Sequence, residues 1–118
     1  PVLVRDIFVN SQKGLHFMLV FRWQAPIVPD KAQIESLYRA EGLTPNEELF
    51  KPETVVSDHR HPFDEVRTVV SGEMVFDIAG NKLLLRAGDR IVIPANTKHS
   101  FKAQGHEPCI CLYASKTW

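Results

Sequence analysis

From Lys51 onward the chain is a succession of short runs rich in Val, Ile, Leu and Thr. They are cut by Ser71-Gly72, Ala79-Gly80-Asn81, Ala87-Gly88-Asp89 and Gly105-His106-Glu107-Pro108. Turn signals about every 8 to 12 residues leave no room for crossover helices, so this region is expected to be an antiparallel sandwich or barrel, not a series of βαβ units. Ahead of it, Val2 to Val9 and Leu15 to Trp23 read as two strands of a hairpin closed by Asn10-Ser11-Gln12-Lys13-Gly14. In the second strand Leu15, Phe17, Leu19, Phe21 and Trp23 alternate with His16, Met18, Val20 and Arg22. The first set forms one wholly apolar face, expected to build the core or to cover a subunit interface.

Pro26 and Pro29 end that sheet pattern. Asp30-Lys31-Ala32-Gln33 then has the form of a capping box ahead of Ile34, Leu37 and Tyr38 at helical spacing, with Gly42 as the stop. Thr44-Pro45-Asn46-Glu47 repeats the helix-start signature and predicts a short second helical turn before Phe50. The fold class is therefore all-β with one short helix in the N-terminal half.

The 118 residues are 44% hydrophobic, with 14 Lys+Arg against 14 Asp+Glu and a formal net charge of +0. A single domain over residues 1–118 is expected, able to bury roughly 65% of the surface its unfolded chain exposes. Neutrality without a run of like charges argues against a nucleic-acid footprint and against a polybasic membrane patch. No apolar run approaches the roughly 20 residues of a membrane span, and the first residues lack the basic start and apolar stretch of a signal peptide, so a cytoplasmic protein is expected. Cys109 and Cys111 share one strand face but lack the C-x-x-C spacing of redox and zinc sites, and read as buried thiols of a final strand.

The chemistry concentrates in the histidines. The chain has five, and His59-Arg60-His61 is followed by Glu65, with His99 on a later hairpin. On an extended strand, side chains at i and i+2 project from one face about 6.5 to 7 Å apart, so two imidazoles can converge on one ion. Glu65 opens the next run, from which a carboxylate can approach, and Arg67 shares its face. An ion pair with a nearby Asp or Glu is the alternative role for Arg67. Three imidazoles and one carboxylate suit Fe(II), Mn(II), Ni(II), Co(II) or Zn(II), and not Ca(II), which prefers oxygen donors.

These residues also carry a resemblance. His59, His61, Glu65 and Gly72 fall in the register of cupin motif 1, G-x5-H-x-H-x3-E-x6-G, and Gly88, Pro94 and His99 in that of motif 2, G-x5-P-x-G-x2-H-x3-N. Glu53, Asn96 and Ala103 depart from the motifs, none of them at a ligand position. The chain thus resembles the cupin superfamily, in the manner of its small single-domain members. The resemblance implies a jelly-roll barrel (a double-stranded β-helix), with the motif-bearing part at about residues 47–115. Its mouth would hold one divalent metal through His59, His61, Glu65 and His99, with no organic cofactor, and many cupins are homodimers.

Within the superfamily, Asp64-Glu65-Val66-Arg67, Phe76-Asp77, Gly88-Asp89, Pro94-Ala95 and His99-Ser100-Phe101 look like the acireductone dioxygenase pattern. That family uses three His and one Glu on Fe or Ni, and an Arg two residues after the Glu contacts substrate; the matching residue is Arg67. The resemblance implies a metal-dependent oxidoreductase, dioxygenase-like, acting on a small oxygenated substrate that chelates the metal. A metal-dependent isomerase or lyase on a sugar or keto-acid, and a non-enzymatic cupin that binds a small molecule without turnover, are the alternative classes.

Overall fold

The computed structural model describes residues 2–11 and 14–116, with side chains from Met18 onward. In chain order the elements are β1 Val2–Ser11, β2 Gly14–Trp23, α1 Lys31–Ala40, β3 Asn46–Phe50, β4 Val55–His59, β5 Asp64–Ser71, β6 Glu73–Ile78, β7 Asn81–Arg86, β8 Arg90–Ile93, β9 His99–Gln104 and β10 Cys109–Lys116. They form a six-stranded sheet, β1-β2-β8-β5-β10-β3, and a four-stranded sheet, β4-β9-β6-β7. Every pairing is antiparallel, as the spacing of the turns requires.

Strand β5 shows how the layers are built. Val66 and Thr68 face α1, where Val66, with Val70 against it, packs with Ile34, Tyr38, Leu43, Leu112 and Ala114. Tyr38 donates its hydroxyl to the Leu112 carbonyl at 3.1 Å and lies 2.7 Å from Thr68 Oγ1. The other face of β5 turns into the barrel. There Val69 joins an apolar core that includes Met18, Met74, Phe76, Ile91 and Ile93, whereas Glu65 and Arg67, nearer the strand's start, put two charges inside the same barrel. The interior therefore has an apolar floor and a polar mouth.

The helix begins as expected. Asp30 accepts from the Gln33 backbone N–H, and the Gln33 side chain accepts from the Asp30 backbone N–H, closing the capping box at both ends. Ile34 and Tyr38 are buried and Leu37 is exposed.

Three expectations need correction. Residues 44–47 form no second helical turn: Asn46–Phe50 is β3, paired with β10 from Cys109↔Phe50 to Tyr113↔Asn46. One isolated turn has to meet the cost of helix nucleation, while the open edge of β10 offers a ladder of backbone hydrogen bonds. On β2 the core side chains are Met18 and Val20, and not the Phe21 and Trp23 face. Phe21 and Trp23 lie on the outer side of the sheet and line a cleft of about 140 Å³ with Ile34, Leu37 and Tyr38 of α1. Both faces of this sheet are covered, so both can be apolar; His16 and Phe17 lie outside the described side chains. Finally, β4 stops at His59, so His61 belongs to the β4–β5 connection.

The turn residues explain two of the motif departures. Gly72 has φ +78°, and a Cβ there would stand 2.6 Å from the Pro108 carbonyl oxygen and 2.9 Å from Cys109 Cα. No side chain fits. Glu53 and Asn96, which occupy motif positions that usually carry glycine, take φ 68° and 60°. The backbone takes left-handed turns at both positions without glycine, at a conformational cost that Asn tolerates better than Glu.

Candidate metal centre

The site forms where the two sheets meet at the barrel mouth. His59 ends β4 and His99 begins β9, and they are direct cross-strand partners. His61 arrives from the β4–β5 connection, which the 94–97 turn braces. Asn96 N–H donates to the His61 carbonyl at 2.6 Å, Arg60 Nη1 donates to the Asn96 carbonyl at 3.0 Å, and Ala95 N–H donates to Asp64 Oδ1 at 2.8 Å. The left-handed residue Asn96 thus fixes the loop that presents His61.

One ring nitrogen from each of His59, His61 and His99 lies within 4.8 Å of the others. Ring centroids are 4.1 Å apart for His59 and His99, 4.7 Å for His59 and His61, and 5.4 Å for His61 and His99. His59 and His99 repeat one local device: Nδ1 lies 2.8 Å from the Ser57 carbonyl in the first and 2.9 Å from the Thr97 carbonyl in the second. A carbonyl only accepts, so in each ring Nδ1 carries the proton and Nε2 keeps its lone pair. His99 is 1% exposed, and its Nε2 is buried with no hydrogen-bond partner. Burial also lowers its pKa, against the opposing pull of the Thr97 carbonyl, which keeps the ring neutral near physiological pH. His61 stacks on Phe63 at 4.9 Å, with 12° between the ring planes.

The structure places the other two expected site residues beside this cluster. Glu65 Oε1 lies 3.3 Å from His61 Nε2, and Glu65 Oε2 accepts from Arg67 Nε at 3.2 Å. Arg67 is 3% exposed, donates through Nη2 to Glu48 Oε1 at 2.8 Å, and lies over the rings of Tyr113 and Phe101 at 4.8 and 5.0 Å. Its Nη1 is buried without a partner. Burial disfavours the charged guanidinium, but the Glu65 carboxylate, with Glu48 behind it, holds the Arg67 pKa above its usual value. The ion-pair role considered for Arg67 is thus present, with two carboxylates.

A cavity of about 280 Å³ opens onto the cluster, and its charged walls are Glu48, Glu65 and Arg67. Glu48 was missed because its segment reads as a helix start; on β3 it stands opposite Cys111 and reaches over the mouth. Tyr113 and Asn46 join it there, one from each strand at that edge. A larger cleft, about 680 Å³, lies away from the histidines, and its charged residues are already engaged: Arg22 with Asp89 and the Leu84 carbonyl, and Arg86 with Glu73.

The donor set fits a borderline divalent metal. Three imidazoles converge, two of them (His59 and His99) with Nε2 lone pairs left free and one of these a buried orphan, and the Glu65 carboxylate stands beside the third, His61. Second partners on Nδ1 are what fixes ring orientation in metal-binding histidines.

Comparison with known proteins bears on the same region. The family model for the cupin domain matches residues 46–115. An acireductone dioxygenase from Bacillus licheniformis is 44% identical over 52 residues, which covers 40% of this chain and 29% of that protein. The polyketide synthase CurC from Streptomyces cyaneus is 33% identical over 60 residues, covering 50% of this chain and 39% of that one. The chain therefore spans well under half the length of these two relatives. Among solved structures, a predicted oxalate decarboxylase from Thermotoga maritima aligns with a TM-score of 0.60 over 99% of this chain and 94% of its own, at 17% identity. That last likeness is one of fold: a β-barrel jelly roll.

Proposed function

The chain belongs to the cupin family, and from that premise we propose that it is a metal-dependent oxidoreductase of the dioxygenase type. Its substrate would be a small oxygenated molecule chelated to a divalent transition metal held by His59, His61, His99 and Glu65. The observation that carries the reading is the convergence of three imidazole nitrogens within 4.8 Å at the mouth of a cavity, inside the stretch matched by the cupin family model. Bound there, a divalent ion of this class would supply Lewis acidity toward a substrate oxygen.

The chain's own residues do the rest. The Ser57 and Thr97 carbonyls hold His59 and His99 in the tautomer that offers Nε2. Arg67, buried beside Glu65, puts a positive charge in the cavity wall, where it would balance the charge of a bound substrate. Phe63 and Phe101 keep part of the wall apolar and limit water. The exposed side chains of Ile27, Val28 and Leu37 give a homodimer, also part of this reading, an apolar face.

Oxygen uptake tests the activity. Protein reconstituted separately with Fe(II), Mn(II) or Ni(II) is expected to consume dioxygen with some member of a panel of enediols and α-keto acids. No uptake with any metal and any substrate would overturn the oxidoreductase reading.

A further inference from the structure

We propose that Glu48 determines which ligands the metal cavity accepts by their charge, making it selective for chelators that carry one negative charge over those that carry two. The inference rests on the metal-binding reading above and deepens it to a substrate class. Glu48 lies on β3 at the outer rim of the cavity, with its side chain 38% exposed. Its Oε1 accepts from Arg67 Nη2 at 2.8 Å, while Arg67 Nε donates to Glu65 Oε2 at 3.2 Å.

The guanidinium is therefore a bridge between the carboxylate beside the histidines and the carboxylate at the rim. Two of its three nitrogens are committed, and Nη1 stays buried and unpaired. The charged side chains lining the cavity are Glu48, Glu65 and Arg67, which sum to one negative charge. A divalent ion brings the site to one positive charge, which a monoanionic chelator neutralises. A dianion leaves the cavity with a net negative charge in surroundings where charge is poorly screened.

Without the Glu48 carboxylate the loaded site carries two positive charges, Arg67 Nη2 is released toward the ligand, and the preference turns toward dianions. Glu48 need not touch the metal to act in this way. It works through the field it places on the cavity and through the Arg67 nitrogen it occupies, so it is a specificity-determining and positioning residue.

The test uses the Co(II)-loaded protein, whose visible absorption reports loading and ligand entry together, titrated with glycolate as the monoanion and oxalate as the dianion. In Glu48→Gln the ratio of oxalate to glycolate affinity is expected to rise about tenfold over wild type, the effect of one unit charge acting across a poorly screened site. Glu48→Asp, which keeps the charge, is expected to stay near the wild-type ratio. A purely structural role would weaken both ligands alike and leave the ratio unmoved. A ratio within twofold of wild type in a fully loaded Glu48→Gln protein overturns the inference while leaving the metal site standing. An Asp variant that behaves like Gln also overturns it. Failure of wild type to develop the Co(II) spectrum overturns the metal-binding reading, and this inference with it.

Discussion

Replacing Arg67 with Met probes the charge cluster on which the barrel mouth is built. Methionine keeps much of the volume and removes the cation between two carboxylates. Glu65 is 5% exposed and its Oε2 loses the Arg67 Nε donor at 3.2 Å. Removing one partner of a buried pair typically costs about 3–5 kcal/mol, because the remaining charge is left uncompensated. Loss of the stacking over Phe101 and Tyr113, at 5.0 and 4.8 Å, adds about 0.5–2 kcal/mol. Against these, the unpaired Nη1 disappears, which returns about 1–3 kcal/mol.

The net expectation for Arg67→Met is a loss of about 3 kcal/mol, against a total of about 6–18 kcal/mol for a chain of 118 residues. The variant should still fold. Urea unfolding with EDTA present measures the change, and an unaltered m value shows that the states compared are the same. In the double variant Arg67→Met, Glu65→Gln most of the loss is expected to return, since no buried charge remains unpaired. A single variant within about 1 kcal/mol of wild type, or a double variant no more stable than the single, would refute the reasoning.

Other consequences follow from the same structure. Glu53→Gly is expected to stabilise the metal-free protein by about 0.5–1 kcal/mol, because glycine relieves a left-handed φ of 68° while the exposed pair with Lys102 contributes little; a lower urea midpoint would contradict this. Gly72→Ala is expected to cost about 2–4 kcal/mol, since its Cβ would meet the Pro108 carbonyl oxygen at 2.6 Å and backbone has to move; an unchanged midpoint would show that the turn yields freely. Burial raises the Tyr38 pKa from 10.0 to about 12, so between those values the folded chain holds a proton the unfolded chain has released. That contribution to stability is intact below pH 10 and is lost as pH rises toward 12, by roughly 2–3 kcal/mol in all. Tyr38→Phe should flatten this part of the stability–pH curve, and an unchanged slope would reject the assignment.

The antiparallel barrel was legible because turn residues punctuate short apolar runs, and α1 because Asp30 and Gln33 close its capping box. The three histidines and Glu65 were legible as a spacing, but their meeting depends on the pairing of His59 with His99 and on the brace between Asn96 and His61, neither of which a local pattern encodes. Glu48 was hidden for a related reason. The segment 44–47 carries a good local helix signal, and only the edge of β10, more than 60 residues away in sequence, turns the residues that follow into a strand. On β2 the alternation was correct, and of the two roles open to its aromatic face the core role went to Met18 and Val20 on the other face, because α1 supplies a second apolar cover on the outer side of the sheet. Glu53 and Asn96 were visible as motif positions, and the structure gives both the positive φ that glycine would adopt there.

The central claim is that His59, His61 and His99 hold one metal ion, and elemental analysis tests it directly. Protein purified without added metal is expected to carry close to one transition-metal ion per chain. His99→Gln, checked for folding by circular dichroism, is expected to carry less than about a tenth of that, because the variant removes the buried Nε2 that closes the cluster. Equal metal content in wild type and a folded His99→Gln protein would contradict the account.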